Sequence, residues 1–249
     1  MDIPEDHPRR ASLLMREAIA DGVERGLVDQ TGLIAHGRGE AFDYLIGERT
    51  LEVTAPALEA AAAALLVAER PVISVNGNTA VLAGREIAAL SRTHGIPVEV
   101  NIFHRTDERL RRLVTHISGL GVDEVLGLDA DSTIPGLAQP RALCSSRGIF
   151  GADTVLVPLE DGDRAAALVA MGKTVIAIDL NPLSRTARTA TITVVDNVVR
   201  TIPAIDERMD GLTPSMARTI LRSFDNARAL AGVVRHIRDR LTELSGDLG

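Results

Sequence analysis

From residue 71 onward the chain alternates between short, continuously apolar runs and longer stretches of helical spacing. The runs are 71–75 (PVISV), 97–103 (PVEVNIF), 123–127 (VDEVL), 154–157 (TVLV), 174–178 (TVIAI) and 190–195 (ATITVV). Stretches such as 79–93 and 164–171 carry the helical spacing between them. Strands that are apolar throughout and separated by helices predict a parallel sheet buried on both faces. Right-handed crossovers then gather the strand C-termini on one edge, where doubly wound sheets bind ligands. The expected fold is α/β: a Rossmann-like, doubly wound, mainly parallel sheet over 71–209. Helical regions flank it, 11–69 before (helices over 11–25 and an Ala-rich 52–69) and an extension over 213–245 after. The Ala-rich face is core or a subunit contact. In the extension, Thr213-Pro214 makes a cap and first-turn pair. Its run 227–242 sets Leu230, Val233, Val234, Ile237 and Leu241 on one stripe, to be buried on the body or on a partner. Residues 1–249 read as a single domain without repeats or low-complexity linkers.

Polar residues collect where the expected strands end. They are Asn76 to Thr79, Asn101 to Thr106, Asp129 to Thr133, Glu160 to Arg164, and Asp179 to Asn181 with Ser184 to Thr186. Any one of these is what a turn needs, but five on one edge point to a site. The first turn, Asn76-Gly77-Asn78-Thr79-Ala80, lacks the G-x-G-x-x-G of dinucleotide folds. It is a plain turn, or Gly77 admits close backbone approach at a helix N-terminus that can hold an anion. The MGKT at 171–174 is not a Walker motif, since Ala167 stands where its first glycine belongs and the segment enters a strand. Lys173 is then a solvated charge at a helix end or, as the one lysine, a phosphate partner. In HGRGEAFDY (36–44), Gly37 and Gly39 flank Arg38 in what reads as a surface loop, with Glu40, Asp43 and Tyr44 close behind. Charges crowded around one arginine favour a site there, while His36 alone reads as structural. No histidines fall at H-x-x-x-H spacing, so zinc is not expected.

Aromatic residues make up 2% of the chain, so the core is Val, Ile, Leu and Ala, and base-stacking platforms for nucleic acid are not expected. The net charge of −7 also argues against a nucleic-acid partner. Of the 27 basic residues only Lys173 is not arginine, and arginine forks grip phosphate and carboxylate. The one cysteine, Cys144, leaves no disulfide within the chain. No apolar run reaches the ~18–20 residues of a membrane span and no apolar signal core opens the sequence, so a cytoplasmic protein is expected.

Five segments carry a resemblance: GLIAHGRGEAFDYLIGE (32–48), PVISVNGNTA (71–80), EVNIFHRT (99–106), VPLEDGDR (157–164) and MGKTVIAIDLNPLSRTAR (171–188). Together they resemble the archaeal 4-phosphopantoate–β-alanine ligase family, also called phosphopantothenate synthetases, over about residues 1–209. The resemblance implies an enzyme of coenzyme A biosynthesis. It would condense 4-phosphopantoate with β-alanine at the expense of ATP, releasing AMP and diphosphate through an acyl-adenylate, as a magnesium-requiring homodimer. Carried onto this chain, the family's ATP contacts fall on Arg16, Arg38, Asp179, Leu180, Asn181, Arg185, Thr186, Asn197 and Val198. Asp179 would hold the ribose, backbone near Asn181 and Asn197 the adenine, and the arginines the phosphates. The substrate phosphate is expected at Gly77, Asn78 and Thr79 with Arg105. Arg38, His104 and Lys173 are the candidate catalytic residues, with His104 or Glu99 as base for the amine. Glu160, Asp161 or Asp163 would supply at most one carboxylate to magnesium. Two rival readings remain. A nicotinamide dehydrogenase lacks its fingerprint here, and a non-catalytic nucleotide-binding module would need only the Asp179 cluster.

Overall fold

The computed structural model describes residues 3–247, the last without its side chain. All six expected strands are present: β1 (Pro71–Val75), β2 (Val98–Val100), β3 (Val125–Leu126), β6 (Thr154–Pro158), β7 (Thr174–Ile178) and β8 (Ile192–Val194). A separate antiparallel ladder, β4 (Ser132–Thr133) with β5 (Leu143–Cys144), was not foreseen. The main sheet runs β3-β2-β1-β6-β7-β8 with every pair parallel. The chain thus winds outward from β1 in one direction and later in the other. The crevice of such a sheet opens where the order reverses, between β1 and β6.

Strand residues alternate between two cores, as a pleated sheet covered on both sides requires. Ile73, Val75, Leu156, Ile176 and Ile178 face one, and Val72, Val155, Val157, Val175 and Ala177 the other. Helices α3 (Ala55–Val67), α4 (Gly77–His94), α5 (Asp107–Gly119) and α8 (Val198–Asp210) cover the first face. The Ala-rich α3 belongs to that core: Ala60 to Ala63 are fully buried, and the helix packs on α8 and α9 (Pro214–Ser223). On the second face lie α6 (Gly162–Ala170) and the chain around β4 and β5.

Helices α1 (Arg10–Glu24) and α2 (Gln30–Ile46) precede the sheet. The second corrects the expected loop at 36–39, because Gly37 and Gly39 lie inside a continuous helix. Asp29 caps its start and Gly47, at φ 86°, ends it. A third apolar cluster joins Ile46 of α2 and Leu51 to α10 (Asn226–Asp247). There Leu230, Val233 and Ile237 of the expected stripe pack on the body, while Val234 and Leu241 stay exposed. Thr213 caps α9 as its sequence foretells. No helix among the described residues is long and apolar enough to cross a membrane.

Candidate functional site

The strand-end clusters first serve the fold. Asn76 caps α4, Asp161 caps α6, Ser184 caps α7 (Arg185–Thr189) and Asn197 caps α8, each accepting a helix-start N–H. Four capped helices therefore begin along one sheet edge, with first-turn amides that no intrahelical acceptor reaches. Between them lies a cavity of about 420 Å³. Arg38 and Gly39 of α2 form one wall, Asp179 to Asn181 and Ser184 to Thr186 another, and Asn197 with Val198 a third.

Asp179 follows β7 directly. Its Oδ1 accepts the Asn181 N–H at 2.9 Å and its Oδ2 the Ser184 hydroxyl. Burial pushes its carboxyl above the usual range, with Ser184, Asn181 and Arg38 opposing. The exposed Arg38 thus faces the one carboxylate expected to hold ribose. Asn197 is less free than expected. Its Nδ2 donates to buried Asp43 at 2.9 Å, and its carbonyl accepts from Arg200 and Thr201. The next amide, that of Val198, lies in the first turn of α8 and is the donor better placed for a ligand. Thr186 ties the wall together by donating to the Glu160 carbonyl at 2.9 Å. Arg16 does not line the cavity. Its Nε bonds Glu40 at 2.8 Å and its Nη2 the Tyr44 hydroxyl at 2.9 Å, contacts that raise its pKa, Glu40 foremost.

A smaller cavity of about 150 Å³ adjoins the first across Ala35, Asn78 and Leu159. Gly77 and Asn78 line it together with His104, but the arginines there are Arg109 and Arg141. Arg105 points elsewhere, donating to the Gly127 carbonyl at 2.8 Å beyond β3. Thr79 is fully buried, its amide bonded to Asn76 and its hydroxyl to Asn76 and the Pro158 carbonyl. Neither residue can serve this cavity as expected. Gly77 needs its lack of a side chain, since a Cβ there would run into the Leu27 carbonyl oxygen. His104 sits half exposed, its Nε2 3.6 Å from Asp29.

Two further expectations are corrected. Lys173 stands just before β7 at the opposite edge of the sheet, 8% exposed, and donates to the carbonyls of Phe150 at 2.7 Å and Ala152 at 2.5 Å. Burial lowers its pKa. It is a structural tie and touches no part of the cavity. Glu99 is fully buried, accepting the amides of Ser145 at 2.9 Å and Ile149 at 2.7 Å, which removes it as a base.

Sequence reading named Glu160, Asp161 and Arg164 but missed Arg141, which binds both carboxylates beneath the site. Glu160 is bound on one side by Arg141 at 2.8 Å and on the other by fully buried Arg164, which also reaches Ser74 at 3.1 Å. Burial would raise the neighbouring Asp161 carboxyl, but the Arg164 amide and Arg141 outweigh it and hold it below the usual range. Leu159, beside them, has φ 56°, a left-handed backbone that a leucine adopts only under constraint. The constraint is Asn76, whose Nδ2 donates to the Pro158 carbonyl at 3.0 Å and the Leu159 carbonyl at 3.1 Å. No local pattern marks Arg141, which lies in the stretch where no strand was expected. The asparagine after β1 was the available signal for the rest.

Comparison with known proteins matches the chain to a group of enzymes. The chain is 49% identical to the 4-phosphopantoate–β-alanine ligase of Thermococcus kodakarensis, over 98% of this chain and 95% of that one. It is 48% identical to the ligase of the same name from Methanosarcina mazei, over 100% of this chain and 99% of that one. A third, from Methanospirillum hungatei, shares 48% over 96% of this chain and 98% of its own. Similarity therefore does not stop near residue 209 but runs on through the C-terminal helices. The family model for phosphopantothenate/pantothenate synthetases matches residues 53–240. On both counts the chain belongs to the phosphopantothenate/pantothenate synthetase family.

Proposed function

We propose that this chain condenses 4-phosphopantoate with β-alanine using ATP, as one α/β ligase unit over residues 1–249 that pairs into a homodimer. The supporting observation is that eight of the nine residues matched to the family's nucleotide contacts, all but Arg16, line one cavity at the reversal of strand order. In this reading Asp179 accepts from the ribose hydroxyls, the Val198 amide and backbone near Asn181 meet the adenine, and Arg38 meets the phosphates. The phosphate of 4-phosphopantoate lies in the smaller cavity, on the first turn of α4 at Gly77 and Asn78; Arg109 and Arg141, not Arg105, are the arginines lining it, their forks bonded within the protein.

The substrate carboxylate then attacks the α-phosphorus, diphosphate leaves, and the β-alanine amine takes the acyl group from the adenylate with loss of AMP. The protein's part is positioning and charge placement. His104, at the rim of the smaller cavity, is the remaining candidate to receive the amine's proton. The residues do not fit a magnesium ion held by the protein alone. Glu160 is bound by two arginines, Asp161 caps α6, and no cluster of three ligating side chains exists among the described residues.

AMP release tests the reading. It should require ATP, 4-phosphopantoate and β-alanine together. Pantoate should replace its phosphorylated form about 10⁴-fold less efficiently, because donors built for a phosphate would stand unpaired. Equal efficiencies for the two acids would overturn the assignment, and sedimentation measures the dimer.

A further inference from the structure

We propose that the groove between residues 135–139 and α6 receives the amino substrate, an ω-amino acid bound as a zwitterion between Arg185 and Asp163. This rests on the ligase reading above and gives its third substrate a place. The groove meets both other cavities: Arg185 lines it and the nucleotide cavity, while Phe103 lines it and the smaller, arginine-lined cavity. An amine lying there borders the space where nucleotide and acid would join.

A zwitterion calls for one cation and one anion a few ångströms apart, joined by an apolar wall. Arg185 and Asp163 are the charged side chains that line the groove, and Ala166 and Ala167 lie alongside them, suited to the methylene groups. In the free protein the two charges face each other, Nη1 to Oδ1 at 2.5 Å, with 69% and 62% of their side chains exposed. A pair so exposed adds little to folding. Its position is held nonetheless: a Cβ at Gly162 would come within 2.7 Å of Arg185 Cγ, so the arginine stem lies across bare backbone at the start of α6. Gln139, also lining the groove, has a buried carboxamide oxygen without a partner, an acceptor suited to an ammonium group. Binding then exchanges one internal ion pair for two external ones, carboxylate to Arg185 and ammonium to Asp163 and Gln139. The ammonium sheds one proton before attack. As the C–N bond forms and the acyl–oxygen bond to AMP breaks, the adduct loses a second. Contact of residues 185–186 with the nucleotide is left to their backbone.

Steady-state kinetics with β-alanine and with β-alaninamide, which lacks the carboxylate, test this in the intact enzyme. Wild type should prefer β-alanine by about 10- to 150-fold in kcat/KM, the scale of one charge-assisted contact. Arg185→Met should bring that preference close to unity by lowering the β-alanine value far more than the β-alaninamide value, whatever it does to both in common. Asp163→Asn should raise the KM for both amines about tenfold or more. Parallel losses on the two amines in Arg185→Met, or unchanged amine kinetics in both variants, would overturn the groove assignment alone. A wild-type enzyme that forms no AMP from the three substrates overturns the ligase reading as well.

Discussion

Replacing Asn76 by alanine removes four hydrogen bonds from the point where the sheet order reverses. Its Oδ1 accepts from the Thr79 amide at 3.0 Å and the Thr79 hydroxyl at 3.1 Å, while its Nδ2 serves the carbonyls of Pro158 and Leu159. Loss of the cap costs about 0.5–2 kcal/mol. The Leu159 carbonyl loses its Asn76 donor and adds roughly 0.5–1.5 kcal/mol, while the Pro158 carbonyl keeps the Thr79 hydroxyl. Together with the released constraint on Leu159, Asn76→Ala should destabilise the fold by about 2–4 kcal/mol, or about 5–15 °C in melting temperature. Asn76→Asp separates the two halves of the role. It keeps the cap oxygen but sets a carboxylate oxygen against two carbonyl oxygens, so β1 and β6 are pushed apart at their ends. Thermal melts should therefore rank Asp at or below Ala, and the KM values for ATP and 4-phosphopantoate should both rise, since Leu159 lies on the wall common to both cavities. An aspartate variant as stable as wild type with unchanged KM values would show that the clamp on Leu159 does nothing, and the reasoning would fail.

Gly77→Ala sets a methyl group against the Leu27 carbonyl and should cost about 1–3 kcal/mol, with the KM for 4-phosphopantoate rising more than that for ATP; equal rises would remove the first turn of α4 from the acid's site. Lys173→Met should lower stability by about 2–4 kcal/mol through two unpaired carbonyls, yet leave turnover of the folded enzyme intact; lost turnover at full stability would restore its catalytic role. Burial lowers the pKa of His36 and of His116. The unfolded chain then takes up protons that the folded one refuses, so this contribution to stability is present above about pH 6.5 and is lost as pH falls below it. Urea midpoints at pH 7.5 and 5.5 should differ less in His116→Gln than in wild type, and an identical difference would refute the shift.

The sheet was legible because six runs of Val, Ile and Leu can satisfy their side chains only between two covered faces. The α2 helix was not, because Gly37 and Gly39 read locally as breakers while its stability comes from the Asp29 cap and from packing against α1 and α10, with α4 touching its start. Gly32 sits where any Cβ would strike Asn78, a constraint that exists only once the helices meet. Arg105 lies just before α5 and Arg109 in its first turn, and sequence cannot say which turns toward Gly77. Arg109 does, donating to the Leu27 carbonyl at 3.3 Å. Glu160 looked like a free acid for the opposite reason: its partner Arg141 arrives from the β4–β5 excursion, whose two-residue strands leave no periodic trace.

The placement of Lys173 has a consequence for self-modification. In the proposed reaction an activated acyl group is carried to an amine, and any that escaped would meet the enzyme's own amines. Here the only side-chain amine is closed off between two carbonyls at the far edge of the sheet. Acylating reagents, aldehydes and amine-directed crosslinkers should leave the folded surface untouched apart from the terminal amine. Such a protein can be labelled at a single point, and it is poorly equipped to acylate itself.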